Sequence, residues 1–212
     1  MTPLLPTAYL PPLTYMAEIA HYGEALIELH ETYPKQTYRN RCEIYGANGL
    51  LPLSIPVLKP HGSHTKTKDI QISYHYGWQH IHWTSFLSAY NSSPYFLFYR
   101  DYFEPYYFKR YKYLTDFNTE LLEMIIHITG IKCVVSYTEQ YDWQKVEVKD
   151  RRNDFSKRGK TNTGMLLSYY QVFSNKSGFL PNLSMIDLLF NEGKQSLNYL
   201  LSIYNDISRV KE

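Results

Sequence analysis

The sequence has few of the features that mark a disulfide-bonded, metal-binding or membrane protein. It contains two cysteines in 212 residues, and they follow neither a disulfide framework nor the paired spacing of a zinc site. No apolar run approaches the length of a membrane span, and the first residues lack the charged and apolar regions of a secretory signal. The expected setting is therefore a reducing cytoplasm, with no membrane insertion and no metal.

Excess charge of either sign is also lacking. The chain has 22 Lys and Arg residues against 20 Asp and Glu residues, a formal net charge of +2. This balance gives no general attraction to nucleic acid, and no RNA-recognition signature is present, so we expect no nucleic-acid partner. The length favours a single domain over residues 1–212.

Tyrosine is the residue in excess, with 22 copies. Its ring has an apolar face and its hydroxyl forms hydrogen bonds, so it suits sugar stacking, protein interfaces and half-buried strands alike. Residues 95–113 are an aromatic run with charged residues between the rings. We interpret this run first as core, as a dimer surface or as a sugar-stacking wall.

The order of the apolar patterns predicts an α/β fold, with a mixed sheet flanked by helices and a helical C-terminus. The predicted strands are 4–10, 25–29, 69–76, a central strand at 131–137, and 165–173. The predicted helices are 13–21, 78–90, 115–129, and two more that begin near Ser184 and Ser196. A β-hairpin at 43–57, turning at Asn48-Gly49, follows the first strand-helix-strand unit.

Residues 142–163 differ in composition from the rest of the chain, because they are rich in both charges and contain glycine. A segment of this length and polarity is typical of a mobile loop. It is interpreted either as a lid that orders over an anionic ligand or as a plain flexible insertion.

The segment 33–42 concentrates polar recognition chemistry. If it is extended, the side chains of Lys35, Arg39 and Arg41 share one face and would suit an anion. Arginine contributes a planar fork of donors that matches carboxylate or phosphate. The alternative is a basic edge strand whose arginines pair with local acids, namely Glu28, Glu31 or Glu43.

Two further positions have alternative interpretations. His82 is either a general base or a histidine at the margin of the core that donates to a backbone carbonyl. Ser184 and Asp187 have the spacing of a helix capping box, and capping alone would explain them.

The motifs together resemble the WbqC-like protein family. The residues that carry the resemblance are YLPP at 9–12 with Tyr15, KQTYRNR at 35–41, LSIPV at 53–57, HW at 82–83 with AY at 89–90, and GFLPNLS at 178–184 followed by Gly193. The resemblance covers nearly the whole chain. It implies a bacterial protein whose relatives occur in gene clusters for lipopolysaccharide O-antigen and other surface polysaccharides.

Combined with the residues above, the resemblance predicts a transferase that adds a small group to an activated or lipid-linked sugar. The predicted catalytic residues are His82 and Asp187. The predicted ligand-binding residues are Tyr15, Lys35, Gln36, Tyr38, Arg39, Asn40, Arg41, Asn182 and Ser184. The expected ligand is an anionic small molecule such as a sugar nucleotide, with no cofactor, and a homodimer is one expected arrangement. The alternative is a non-catalytic carbohydrate-binding or scaffold protein.

Overall fold

The chain begins with a strand, a helix and a second strand, as its apolar periodicity predicts. The computed structural model describes residues 1–35, 37–141, 147–155 and 166–209, with backbone alone for 205–209. The strands are β1 (Thr2–Pro6), β2 (Glu24–Glu28), β3 (Arg41–Gly46), β4 (Gly49–Ser54), β5 (Val57–Leu58), β6 (Gln71–Ile72), β7 (Val134–Tyr137) and β8 (Val148–Asp150). The α-helices are α1 (Leu13–Tyr22), α2 (Trp78–Tyr90), α3 (Phe96–Phe103), α4 (Leu114–Thr129), α5 (Ser174–Ser177), α6 (Met185–Glu192) and α7 (Ser196–Arg209). The predicted α/β class is confirmed.

The main sheet has four parallel strands in the order β7-β2-β1-β8. Leu4 of β1 pairs with Leu26 of β2, and Thr2 of β1 pairs with Val148 of β8. The chain moves from β1 to β2 and β7 on one side, and β8 is later added on the other side of β1. The carboxyl ends of all four strands therefore lie along one edge, and the direction of strand addition reverses beside β1.

Helix α4 contributes an apolar stripe to the core. In α4 the buried stripe includes Leu121, Leu122, Ile125 and Ile126, and Gly130 ends the helix with φ 73°. A left-handed φ is easily reached by glycine, which has no Cβ to clash. Burying each apolar side chain stabilises the fold by roughly 1.5–3 kcal/mol relative to exposure.

The predicted hairpin forms from β3 and β4, and Gly46 pairs with Gly49 at its tip. The positive φ of the turn belongs to Gly49, at 100°, and Asn48 stays in the ordinary region. The Asn48-Gly49 pair therefore supplies the positive φ of the turn through Gly49 alone.

Other predicted elements also differ in the structure, and the predicted strands 4–10 and 69–76 are shorter, at Thr2–Pro6 and Gln71–Ile72. Residues 37–40 form a turn rather than an extended strand, because their backbone groups bond to residues outside any sheet. β7 lies at an edge of the sheet rather than in its centre, because the last strand, β8, pairs with β1 and not with β7. Val134 of β7 is accordingly 73% exposed. Among the described residues, 166–173 form no strand, and Tyr169 and Gln171 use their side chains to bond α6 and the segment before it.

The middle of the predicted mobile loop belongs to the sheet. Residues 148–150 form β8, and Phe155 is 1% exposed. Arg151 is also buried, and its guanidinium forms an ion pair with Glu18 of α1. A lid over the whole of 142–163 is therefore wrong for 147–155, while 142–146 and 156–163 lie outside the described residues.

Within the described residues, no helix has both the length and the apolar character needed to cross a membrane.

Candidate functional site

A cavity of about 450 Å³ opens at the carboxyl edge of the main sheet. The residues that line it come from four separate segments: Glu31, Thr32, Pro34, Thr37 and Arg39 follow β2, Lys66 lies between β5 and β6, Tyr141 follows β7, and Arg152 and Asn153 follow β8. Crevices at this edge, near the point where the strand order reverses, are where open parallel sheets bind ligands.

An Arg39–Glu31 ion pair forms one wall of the cavity. The Arg39 Nε and Nη2 groups donate to Glu31 Oε1 at 2.8 Å and 2.5 Å, and the two side chains are 3% and 13% exposed. Burial raises the pKa of the Glu31 carboxyl, and the neighbouring Arg39 opposes this shift without cancelling it. Glu31 is therefore a cavity carboxyl that can hold a proton closer to neutral pH than an exposed glutamate can.

The second arginine of the cavity is held by carboxylates at the strand ends. Arg152 donates to Asp150 Oδ1 from Nε at 2.9 Å and to Oδ2 from Nη2 at 2.7 Å, and its Nη1 lies 3.6 Å from Oε2 of the fully buried Glu28. Burial acts to raise the pKa of Asp150, but the hydrogen bonds from Arg152 outweigh it and lower the pKa. The guanidinium is thus fixed in position at the end of β8.

Lys66 is the cavity cation with no acidic partner among the described residues. Its Nζ lies 5.7 Å from the centre of the Tyr141 ring, and the Arg152 guanidinium lies 5.6 Å from the same ring. Tyr141 is 55% exposed, and Lys66 is exposed as well. The ring and the ammonium are therefore both accessible to a ligand.

Backbone hydrogen bonds fix the positions of Glu31 and Lys66. Thr67 N donates to the Glu31 carbonyl at 2.9 Å, and Tyr33 N donates to the Thr65 carbonyl at 3.0 Å. Thr32 and Lys66 also form an isolated antiparallel bridge. This wall of the cavity therefore exists before any ligand arrives.

The turn that carries Arg39 is held by three neighbouring parts of the chain. Asn118 Nδ2 donates to the Arg39 carbonyl at 2.8 Å, Tyr9 N donates to the Tyr38 carbonyl at 2.8 Å, and Asn40 Nδ2 donates to the Ile55 carbonyl at 2.8 Å. Asn40 therefore has a structural role, because its side-chain amide already donates to a backbone carbonyl within the protein.

Lys35, Tyr38 and Arg41, which the sequence groups with Arg39, do not line the cavity. Arg41 Nη2 bonds to Glu43 Oε1 at 3.0 Å on the hairpin, and Tyr38 bonds to Glu43 Oε2 at 3.4 Å. Lys35 is exposed, and Gln36 lies outside the described residues. Because 37–40 turn, the shared face predicted for Lys35, Arg39 and Arg41 does not form.

Three predicted ligand-binding residues hold the N-terminal segment instead. Tyr15 is fully buried and donates to the Pro6 carbonyl at 2.9 Å. Asn182 Oδ1 accepts from Thr14 N at the start of α1, at 3.0 Å. Ser184 Oγ donates to the Leu10 carbonyl at 2.8 Å rather than capping α6, so the predicted capping box is absent.

His82 is buried among aromatic rings, and it is not among the residues that line the cavity at Arg39. Tyr9 Oη lies 2.8 Å from His82 Nδ1, and the imidazole also bonds to the Ser54 backbone. Burial lowers the pKa of His82 to about 4, so the ring is neutral at physiological pH. This geometry favours the alternative of a core histidine bonded to a backbone carbonyl, and it does not support reach to the arginine cluster.

Asp187 is also buried outside the cavity. Its carboxylate accepts hydrogen bonds from Tyr90 at 2.8 Å, from Tyr169 at 2.6 Å and from Gln171 at 3.1 Å. Burial raises the pKa of Asp187 to about 6, although the three donors oppose it. Asp187 therefore links α2, α6 and residues 169–171, and the structure does not bring it together with His82 or Arg39.

Sequence reasoning placed Arg39 in the site and missed Lys66, Tyr141, Arg152 and Asn153. Arg152 belonged to a stretch noted for its charge, but nothing local linked it to Arg39. The available signal was that polar residues following parallel strands meet at one sheet edge. Within the described residues, no group of three His, Cys, Asp or Glu side chains could hold a metal ion.

Residues 7–163, about three quarters of the chain, match the WbqC-like protein family. The chain belongs to the WbqC-like family. The match begins directly after β1 and includes β2 to β8, and it contains every residue that lines the cavity. The chain is also 25% identical over 217 residues to an uncharacterized protein, Rv1507c, of Mycobacterium tuberculosis, covering 91% of this chain and 94% of the relative. No solved structure matches the chain.

Proposed function

We propose that this protein binds an anionic sugar ligand, such as a sugar nucleotide, in the cavity at the carboxyl edge of its sheet and acts there as a transferase. The pathway implied by the family resemblance is the synthesis of bacterial surface polysaccharide, including O-antigen. The observation that carries the proposal is a cavity whose wall includes the cations Arg39, Lys66 and Arg152.

The size and position of the cavity support a small-molecule ligand. A volume of about 450 Å³ lies within the usual range for ligand sites, roughly 300–1,000 Å³. The site is built on strand ends and on loops held by backbone hydrogen bonds, which is how a scaffold keeps binding groups in position.

The lining residues suggest a role for each part of such a ligand. Lys66 and the two arginines would contact phosphate or carboxylate, and the exposed ring of Tyr141 would stack on a sugar or a base. Glu31 is the cavity carboxyl with a raised pKa, so it would carry the proton that a transfer reaction moves. His82 and Asp187 are not needed in this arrangement.

A non-catalytic binding or scaffold protein is the second candidate. Large exposed apolar side chains on and shortly after α3 favour it, namely Leu97 (64% exposed), Phe98 (73%), Tyr102 (51%) and Phe108 (73%). Exposed apolar surface of this kind is typical of a region that contacts another molecule.

The two candidates are separated by measuring binding and turnover on the same preparation. A panel of sugar nucleotides is screened by thermal unfolding, since a specific ligand far above its dissociation constant stabilises a protein by a few kcal/mol. Any stabilising sugar nucleotide is then incubated with a lipid-linked sugar acceptor, and both are followed by mass spectrometry. Stabilisation with a modified product supports the transferase, stabilisation without product supports the binding protein, and no stabilisation by any member contradicts both.

A further inference from the structure

Glu31 accepts hydrogen bonds from the same edge of the Arg39 guanidinium that would bind an anionic ligand. An anion is held best by the Nε and Nη2 edge of a guanidinium, and in this structure both groups donate to Glu31 Oε1. Protonation of Glu31 removes the charge that holds Oε1 against this edge, so that an anionic ligand can replace Glu31 on the guanidinium. Glu31 is thus placed as an internal substitute for a ligand's anionic group.

The charges around the cavity are already balanced without a ligand. The cations are Arg39, Lys66 and Arg152, and the carboxylates are Glu28, Glu31 and Asp150. The charged groups that act on the Glu31 carboxyl are Arg39, Arg152 and Glu28. Lys66 and Tyr141 are the other titratable residues that line the cavity, Asp150 is paired with Arg152, and Tyr33 lies near Arg39. An added phosphate would leave this half-buried region with excess negative charge, which costs far more there than in water.

We infer that Glu31 is the residue that makes room for the charge: an anionic ligand binds together with one proton, which neutralises Glu31 while Arg39, Lys66 and Arg152 contact the anion. This inference rests on the proposed function, because it concerns the same cavity. The proton comes from solvent and ends on the Glu31 carboxyl, and no bond of the ligand is broken.

The behaviour of the neighbouring carboxyls agrees with this choice of residue. Burial raises the pKa of Glu31, whereas the hydrogen bonds from Arg152 keep Asp150 ionised. An anion close to Glu31 raises its pKa further, so proton uptake accompanies binding at pH values between the free and the bound pKa.

The test is calorimetric titration with sulfate at constant ionic strength, from about pH 5 to about pH 8, in buffers of different ionisation enthalpy. Sulfate is the probe because it does not titrate near neutral pH, so every linked proton belongs to the protein. We expect the wild type to take up a proton and to bind more weakly as the pH rises. The E31Q variant keeps the shape of the side chain without its charge. It should bind about tenfold more tightly or better at about pH 8, without proton uptake.

The matched control is E43Q, which removes the acid from the Arg41 pair outside the cavity. It should bind sulfate as the wild type does. Equal binding by wild type and E31Q without proton uptake would overturn the role of Glu31 and leave the anion site standing. Tighter binding by E43Q equal to that of E31Q would show a general charge effect and would also overturn it. No sulfate binding by any of the three would contradict both this inference and the anion site itself.

Discussion

Two arginine–glutamate pairs lie within a few residues of each other and have different environments. Arg39 and Glu31 are 3% and 13% exposed in the wall of the cavity, while Arg41 and Glu43 are 28% and 24% exposed on the hairpin. The turn at 37–40 separates them, because it directs Arg39 into the cavity and starts β3 at Arg41. The same residue types are thus a candidate ligand site in one place and a surface pair in the other.

The energies of the two pairs should differ for the same reason. A surface ion pair contributes about 0–1 kcal/mol, because water screens it and two side chains lose freedom. A buried pair adds little by itself, but removing one partner leaves the other charge in a poor solvent and typically costs about 3–5 kcal/mol.

The largest expected effect is the loss of Arg39. We expect R39M to lower the free energy of unfolding by about 3 kcal/mol near pH 8, because Glu31 then loses its cation. R41M, the matched control, should cost less than about 1 kcal/mol. Urea unfolding of the two variants measures both values, and equal losses would remove the difference between the pairs.

Asp187 extends the comparison to a buried carboxylate that accepts from hydroxyl and amide donors and has no cation partner in the described part of the chain. Its pKa is raised from 3.8 to about 6, so the folded state binds a proton more tightly than the unfolded state does. Stability should therefore fall as the pH rises from about 4 to about 6, by roughly 3 kcal/mol for a shift of about two pKa units.

D187N carries no titratable group at that position, and its unfolding free energy should lack this slope. Chemical unfolding of wild type and variant across that pH range gives the comparison. Parallel pH profiles for the two proteins would show that Asp187 is ionised as easily in the fold as in the unfolded chain.

A smaller effect is expected from the cavity lysine. K66A should weaken the binding of an anionic ligand about tenfold, because one hydrogen bond to a charged group is worth about 1.5 kcal/mol. Its stability should stay close to wild type, since Lys66 is exposed and has no acidic partner among the described residues. K68A is the control, because Lys68 pairs with Asp69 and does not line the cavity. Equal affinity of both variants would exclude a specific contact at Lys66.

Local sequence patterns predicted most of the helices well, because the backbone hydrogen bonds of a helix join residues that are close together in the sequence. The limits of α2, Trp78–Tyr90, agree with the aromatic stripe at helical spacing, and α7 begins at Ser196 as predicted. The strands were less predictable, because a strand is stabilised by partners that the local sequence does not reveal. β7 reads as a central strand from its apolar residues, and its edge position depends on where β8 is added.

The same limit applies to the site. The charge cluster included Arg39, which the structure places in the cavity wall, but it treated Arg41 as equivalent, and only the turn at 37–40 distinguishes them. Lys66, Tyr141 and Arg152 are distant in sequence. Tyr141 and Arg152 meet because β7 and β8 end at one sheet edge, and the segment between β5 and β6 adds Lys66 through its bridge to Thr32. His82 and Asp187 were predicted as catalytic residues from their polar side chains in apolar sequence surroundings. The sequence does not distinguish a catalytic side chain in such a place from a core side chain that is hydrogen-bonded to its neighbours.

The most direct test of the account compares R39K with R41K. Each variant keeps its charge but loses the planar fork of donors. The measurement is thermal unfolding with and without the sugar nucleotide that stabilises the wild type most, with circular dichroism of the unliganded variants to confirm folding. We predict that R39K binds roughly tenfold to a hundredfold more weakly and loses most of the ligand-induced shift, while R41K keeps it. Equal ligand-induced shifts in a folded R39K, in R41K and in the wild type would contradict an anion site at Arg39.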